Sequence, residues 1–133
     1  MKPIKIIIIC MLSSLFIFAC TRIIPPSTGI LSGHIDIGPL CPVARNPPDP
    51  NCRPTAETYK AWPVAVWDAD RKHIIAQIVP DANGNYQVSL AAGNYIVDLE
   101  NSGTVGRSNL PQEISIYADG NKSLDISIDT GIR

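Results

Sequence analysis

The clearest signal in this chain is alternation. In residues 122–129, KSLDISID, Leu124, Ile126 and Ile128 fall on one side, and Asp125, Ser127 and Asp129 on the other. That is the period-two pattern of a strand with one buried face. Tyr86, Val88 and Leu90 repeat it, as do Tyr95, Val97 and Leu99, and Ile114 with Ile116. Seven runs read as strands: 31–37, 62–68, 74–79, 86–90, 94–100, 112–117 and 122–129. The segments DADRK, DANGN, AAGN and ADGN between them are turn-forming, with Gly84, Gly93 and Gly120 placed to supply positive φ. No segment of helical length shows a 3.6-residue period. The pattern predicts an all-β fold, a seven-stranded antiparallel β-sandwich, over residues 29–133.

Strand number and turn spacing suit an immunoglobulin-like architecture. One stretch sharpens this. In DANGNYQVSLAAGNY, Asp81, Gly84, Tyr86, Val88, Leu90, Gly93 and Tyr95 form a skeleton that resembles the signature of carboxypeptidase regulatory-like domains. The resemblance implies a prealbumin (transthyretin-like) β-sandwich and carries no activity with it. The GPLCPV and DTGIR segments resemble those of small exported bacterial proteins.

The N-terminus is organised differently. Lys2 and Lys5 precede about thirteen mostly apolar residues, Ile6 to Phe18, too few for a comfortable membrane span and suited to a signal-peptide core. The run ends Ile17-Phe18-Ala19-Cys20, which resembles a bacterial lipoprotein signal. That resemblance implies cleavage after residue 19 and thioether lipidation of Cys20, so that residues 1–19 are signal and 20–28 a lipidated, proline-stiffened tether. Without Lys2 and Lys5, nine basic residues face twelve acidic ones, a net charge of −3. Such a balance offers no footprint for nucleic acid and no basic patch for anionic lipid, so the acyl chains must supply the membrane affinity.

Export changes the reading of the cysteines. Cys10 leaves with the signal and Cys20 takes the lipid, leaving Cys41 and Cys52 as a pair in an oxidising compartment, where disulfides persist. They bracket PVARNPPDPN, a stretch no helix or inner strand tolerates. A disulfide-closed, Ω-like loop is expected, presenting Arg45 and Arg53. A zinc set of these cysteines with His34 and His73 fails on spacing, since ten residues separate cysteines that such sites place two to four apart.

Other chemistry is sparse. Asp81, Asn83 and Asn85 alternate like a fragment of a calcium loop, but the twelfth position counted from Asp81 is Ala92, where a glutamate ligand is required. No Gly-x-Ser-x-Gly elbow is present, and the two histidines are separated. His34 reads as a surface residue beside Asp36. Trp67, on the opposite face of its strand from Val64 and Val66, is the candidate for stacking on sugar or anchoring a partner.

These readings combine into a small lipoprotein of the bacterial cell envelope, facing the periplasm from the outer membrane in a Gram-negative cell. It is expected to be a non-catalytic binding or structural module, with no cofactor, no metal and an envelope protein as partner. Two alternatives stand beside it: a carbohydrate or peptidoglycan binder using Trp67, and an enzyme of unrecognised type.

Overall fold

The structure is a computed structural model that describes residues 25–43, 45–47, 49–101 and 109–132. The expected signal, Cys20 and most of the expected tether lie outside the described residues. Eight strands form two sheets: β1 (Thr28–Gly38), β2 (Val64–Asp68), β3 (Ile74–Ile78), β4 (Asn85–Ala91), β5 (Gly93–Leu99), β6 (Gln112–Ile116), β7 (Asn121–Ser123) and β8 (Ile126–Asp129). A 3-10 turn, Pro50–Cys52, and one short helix, α1 (Ala56–Ala61), lie between β1 and β2.

One sheet has β1 at its centre, with β4 on one side and β7 and β8 on the other. The second runs β3-β2-β5-β6. The inward rows of both make one core. Leu31, Ile35, Ile37, Tyr86, Leu90, Ile126 and Ile128 come from the first sheet. Val64, Val66, Ile78, Val97, Leu99, Ile114 and Ile116 come from the second. The sandwich is therefore the expected one, and each alternating run lies on a strand.

Three details differ from the sequence expectation. First, the last run is split into β7 and β8, giving eight strands rather than seven. Second, these two strands run parallel to β1, while the other pairings are antiparallel. Alternation specifies which face is buried and is silent on direction. Third, Gly93 and Gly120 do not take positive φ. In the ADGN turn the left-handed residue is Asp119, φ 55°.

The split has a local cause at Gly33. The register to β7 and to β8 is the same on both sides of the gap, since Ser32 faces Ser123 and Ile35 faces Ile126. Between them the Leu124 carbonyl turns in against Gly33, so close that a Cβ on Gly33 would lie 1.9 Å from its oxygen. Tyr86 is the cross-strand partner of Gly33. Its hydroxyl donates to that same carbonyl at 2.6 Å. The ladder is completed by substitutes: His34 N–H donates to Asp125 Oδ1 at 3.0 Å. On the outer side, Asn109 acts as a one-residue strand, donating to the Asp125 carbonyl and accepting from Ser127 N–H, both at 2.9 Å.

Candidate functional site

The loop between β1 and β2 closes one end of the sandwich. Cys41 and Cys52 are bonded, with Cα atoms 5.6 Å apart, so the expected pair is the observed one. The loop is also held without the disulfide. Thr130 Oγ1 donates to the Pro39 carbonyl and Thr130 N–H to the Gly38 carbonyl, tying the end of β8 to the loop entrance. Asp49 caps the 3-10 turn by accepting from Asn51 N–H at 2.9 Å. Thr55 and Thr58 cap α1 reciprocally: Thr58 N–H donates to Thr55 Oγ1 at 3.4 Å, and Thr55 N–H to Thr58 Oγ1 at 3.0 Å.

A six-residue helix is far below the length that is stable alone. It persists because it follows a cap and because Tyr59 and the adjacent Trp62 pack against the core. The exposed Lys60–Glu57 pair, 2.9 Å apart, adds at most a few tenths of a kcal/mol. On this framework Arg45 and Arg53 both stand exposed, and neither forms an ion pair with any described residue. Val43 beside them is 65% exposed.

Opening the loop by Cys41→Ser with Cys52→Ser is expected to cost less than the roughly 3 kcal/mol that chain entropy assigns to a loop of this size, because the prolines already limit the open chain. Urea titration of the oxidised and double-serine proteins checks this. A loss well beyond that figure would show that the loop itself folds around the bond.

A second group assembles at the edge of this end; no sequence motif marks it, because its members come from three separate segments. The Tyr59 hydroxyl and the His34 ring both crowd Gly84. A Cβ there would lie 2.7 Å from the hydroxyl and 2.8 Å from His34 Cε1, and Gly84 also has φ +86°. Burial, then the Asp36 and Asp81 carboxylates, push the Tyr59 hydroxyl above the ordinary tyrosine value. His34 Nδ1 lies 3.3 Å from Asn85 Oδ1. Asp81 is occupied in shaping the turn: its Oδ1 accepts from Asn83 N–H at 2.8 Å and Asn85 N–H at 2.9 Å. Those amides hold its carboxyl below the usual carboxylate range. This is the geometry of a hairpin turn, with Asp81 in the role that the calcium reading would have given to a ligand.

Trp67 is not part of either group. It lies near the far end of β2 from the loop, on the outer face of the second sheet, opposite Ile96 on β5 and Ile74 on β3. It is half-buried, and its indole Nε1 is buried with no hydrogen-bond partner. Close by, Asp98 is fully buried on this outer face. It accepts from Leu99 N–H at 2.8 Å and pairs with Arg71, which reaches back from the β2–β3 turn. The histidines stay apart. His73 Nδ1 sits 2.8 Å from Asp68 Oδ2 on the β2–β3 turn, and that contact, with the Lys72 amide, holds the Asp68 carboxyl below its ordinary value. With Cys41 and Cys52 bonded to each other, a four-ligand zinc set is not assembled. A groove of about 490 Å³ runs over β5 and β6, lined by Asn94, Ile96, Glu113 and Ser115 among others. Neither histidine lines it.

No protein-family model matches the chain, and no curated protein matches it. Solved structures do. The chain is similar to GBS52, the minor pilin of the Gram-positive pathogen Streptococcus agalactiae, at 14% identity and a TM-score of 0.51, covering 80% of this chain and 46% of that one. It is also similar to a DUF3823 family protein from Parabacteroides merdae at 10% identity and a TM-score of 0.46, covering 78% and 47%. A DUF3823 family protein from Bacteroides ovatus matches at 19% identity and a TM-score of 0.45, covering 78% and 44%. The chain thus spans under half the length of each of these proteins. Together with the sheet topology, the pilin likeness identifies the fold as an immunoglobulin-like β-sandwich.

Proposed function

We propose that the chain is a lipid-anchored protein of the bacterial cell envelope, and that its β-sandwich binds a protein partner through the disulfide-closed loop without catalysing a reaction. The observation that carries this is the state of Arg45 and Arg53. Two exposed guanidinium groups, unpaired among the described residues, project from a segment fixed by a disulfide, a capped 3-10 turn and a capped helix. A preordered loop loses little further freedom on binding, and arginine is a frequent anchor in interfaces. The partner surface such a loop fits is acidic. Anchoring rests on the resemblance of Ile17-Phe18-Ala19-Cys20 to a lipoprotein signal, and assignment to the carboxypeptidase regulatory-like domains rests on the Asp81–Tyr95 skeleton. The carbohydrate alternative has less support, since Trp67 is half-buried and its indole nitrogen is turned away from solvent.

One experiment separates these parts. The full chain is expressed with labelled palmitate, membranes are fractionated, and bound proteins are captured. Cys20→Ser is expected to lose the label and leave the membrane fraction. Arg45→Ala with Arg53→Ala is expected to keep the label and the melting temperature while partner affinity falls by on the order of tenfold or more, the scale of losing one or two anchor residues. Unchanged capture by the double arginine variant overturns the loop reading. Label and membrane association retained by Cys20→Ser overturn the anchoring.

A further inference from the structure

The course of β1 decides which end of the sandwich lies beside an anchor at Cys20. The strand enters at Thr28 and leaves at Gly38 into the disulfide-closed loop. Two turns flank its entry. Ala92 N–H, between β4 and β5, donates to the Ser27 carbonyl at 2.9 Å, and Asp119 N–H, between β6 and β7, donates to the Thr28 carbonyl at 2.8 Å. The Tyr117 carbonyl lies against Gly29, where a Cβ would come within 2.3 Å of its oxygen. The Tyr117 side chain stands 75% exposed at this end. It is the one aromatic among the exposed large apolar side chains of the described residues.

A groove of about 330 Å³ runs from Tyr117 along the edges of β6 and β7. Its lining carries both signs of charge, Glu113 and Lys122, with Ser115 and Asn121. Glu113 and Lys122 are exposed, and neither forms an ion pair with any described residue. A lone anion there would meet the Glu113 carboxylate as well as the Lys122 amine. A zwitterion satisfies both, its phosphate on Lys122 and its ammonium on Glu113. An amphipathic ring beside such a pair suits the headgroup level of a bilayer, where tyrosines collect.

The tether says what covers this end. Residues 21–27 separate Cys20 from Thr28, a stretch that reaches at most about 28 Å when fully extended. The eleven residues of β1 span about 33 Å. The tether is therefore too short to let the sandwich stand on its far end. We infer that the Tyr117 end rests on the bilayer that holds the acylated Cys20, with the Tyr117 ring in the headgroup layer and the Glu113–Lys122 groove on zwitterionic phospholipid headgroups. This rests on the lipid anchor proposed above. The acyl chains keep the protein at the membrane, and the groove sets which way it faces. Arg45 and Arg53 are then carried on the side away from the lipid, open to a partner.

The test uses the full acylated chain, reconstituted in phosphatidylcholine vesicles with some lipids brominated on the acyl chains next to the headgroup. Vesicle flotation reports anchoring by itself. Tyr117→Trp adds a fluorophore at the groove, and Val43→Trp adds one to the loop at the far end. Both are exposed positions, and the parent supplies the baseline from Trp62 and Trp67. The emission added at 117 is expected to fall by roughly half or more in brominated vesicles, as for a ring held at the interface, and that added at 43 to stay unchanged. Lys122→Glu in the Tyr117→Trp chain is expected to weaken the quenching by about twofold or more, as a phosphate contact is exchanged for repulsion. Protein that does not float overturns the anchor and this inference together. Protein that floats overturns this inference alone if emission at 117 is unquenched, if 43 is quenched equally, or if Lys122→Glu changes nothing.

Discussion

Gly33→Ala is expected to be the most damaging single substitution in the sandwich, costing more than about 3 kcal/mol, the upper end of ordinary overpacking. The added methyl would sit 1.9 Å from the Leu124 carbonyl oxygen and 2.7 Å from its carbon. Both are backbone atoms, so no rotamer change relieves the clash. The peptide must rotate out, and doing so breaks the Tyr86 hydroxyl contact and separates β1 from β7 and β8. Chemical denaturation followed by tryptophan fluorescence measures the loss, and a variant as stable as the parent would refute the account. Tyr86→Phe isolates one part of it. That change leaves the packing and removes the donor to a part-buried carbonyl, a cost of about 1 kcal/mol, the low end for an unsatisfied group. The same residue links stability to alkaline pH. Burial, reinforced by the Asp125 carboxylate, raises the Tyr86 hydroxyl far above its ordinary value. A group raised in the folded state stabilises it fully below its unfolded value and progressively less as pH climbs above that. The parent is therefore expected to lose stability above about pH 10, and Tyr86→Phe to lose less over the same interval.

Arg71→Met is expected to be the second largest loss, about 3 kcal/mol, at the low end for removing one partner from a buried ion pair. Asp98 is wholly buried while Arg71 remains 39% exposed, so removing the arginine takes a charged contact from a carboxylate that solvent does not reach. Methionine keeps the apolar stem and removes the charge, which separates pairing from packing. Arg71 also holds a left-handed backbone, φ 56°. Arg71→Gly therefore relieves local strain while losing the same pair, and should be less destabilising than Arg71→Met. Urea midpoints of the two variants check the order; a reversed order would show that packing of the apolar stem outweighs the backbone strain.

Much of the sandwich was legible because alternation is a direct record of burial. Spacing alone puts Tyr86, Leu90, Val97, Leu99, Ile126 and Ile128 on inner faces, and they are buried there. Direction was not legible, since a parallel and an antiparallel strand show the same period. Nor was α1, whose six residues are too few for a helical period to appear. Its signal was present but faint: Thr55 three residues before Thr58, an acidic Glu57 in the first turn and a basic Lys60 in the last. The site was legible where covalent chemistry constrained it, at Cys41 and Cys52. It was not legible where tertiary structure alone gathers residues, as at Tyr59, His34, Asp36 and Asp81. Trp67 lies on the expected face of β2, but its degree of exposure depends on cross-strand neighbours, Ile74 and Ile96, that alternation alone does not pair with it.

The central strand of the first sheet has a consequence for how the molecule is made. β1 is the first strand to leave the ribosome, and it stays incomplete on one side until residues 121–129 arrive, a register offset of 91 positions. Contacts so distant in sequence are slow to form. Pairing with β4 can form earlier, but the β7–β8 side of β1 cannot be sealed until the chain is nearly finished. The topology therefore keeps the first sheet open along one flank until its last strands arrive, and then closes it.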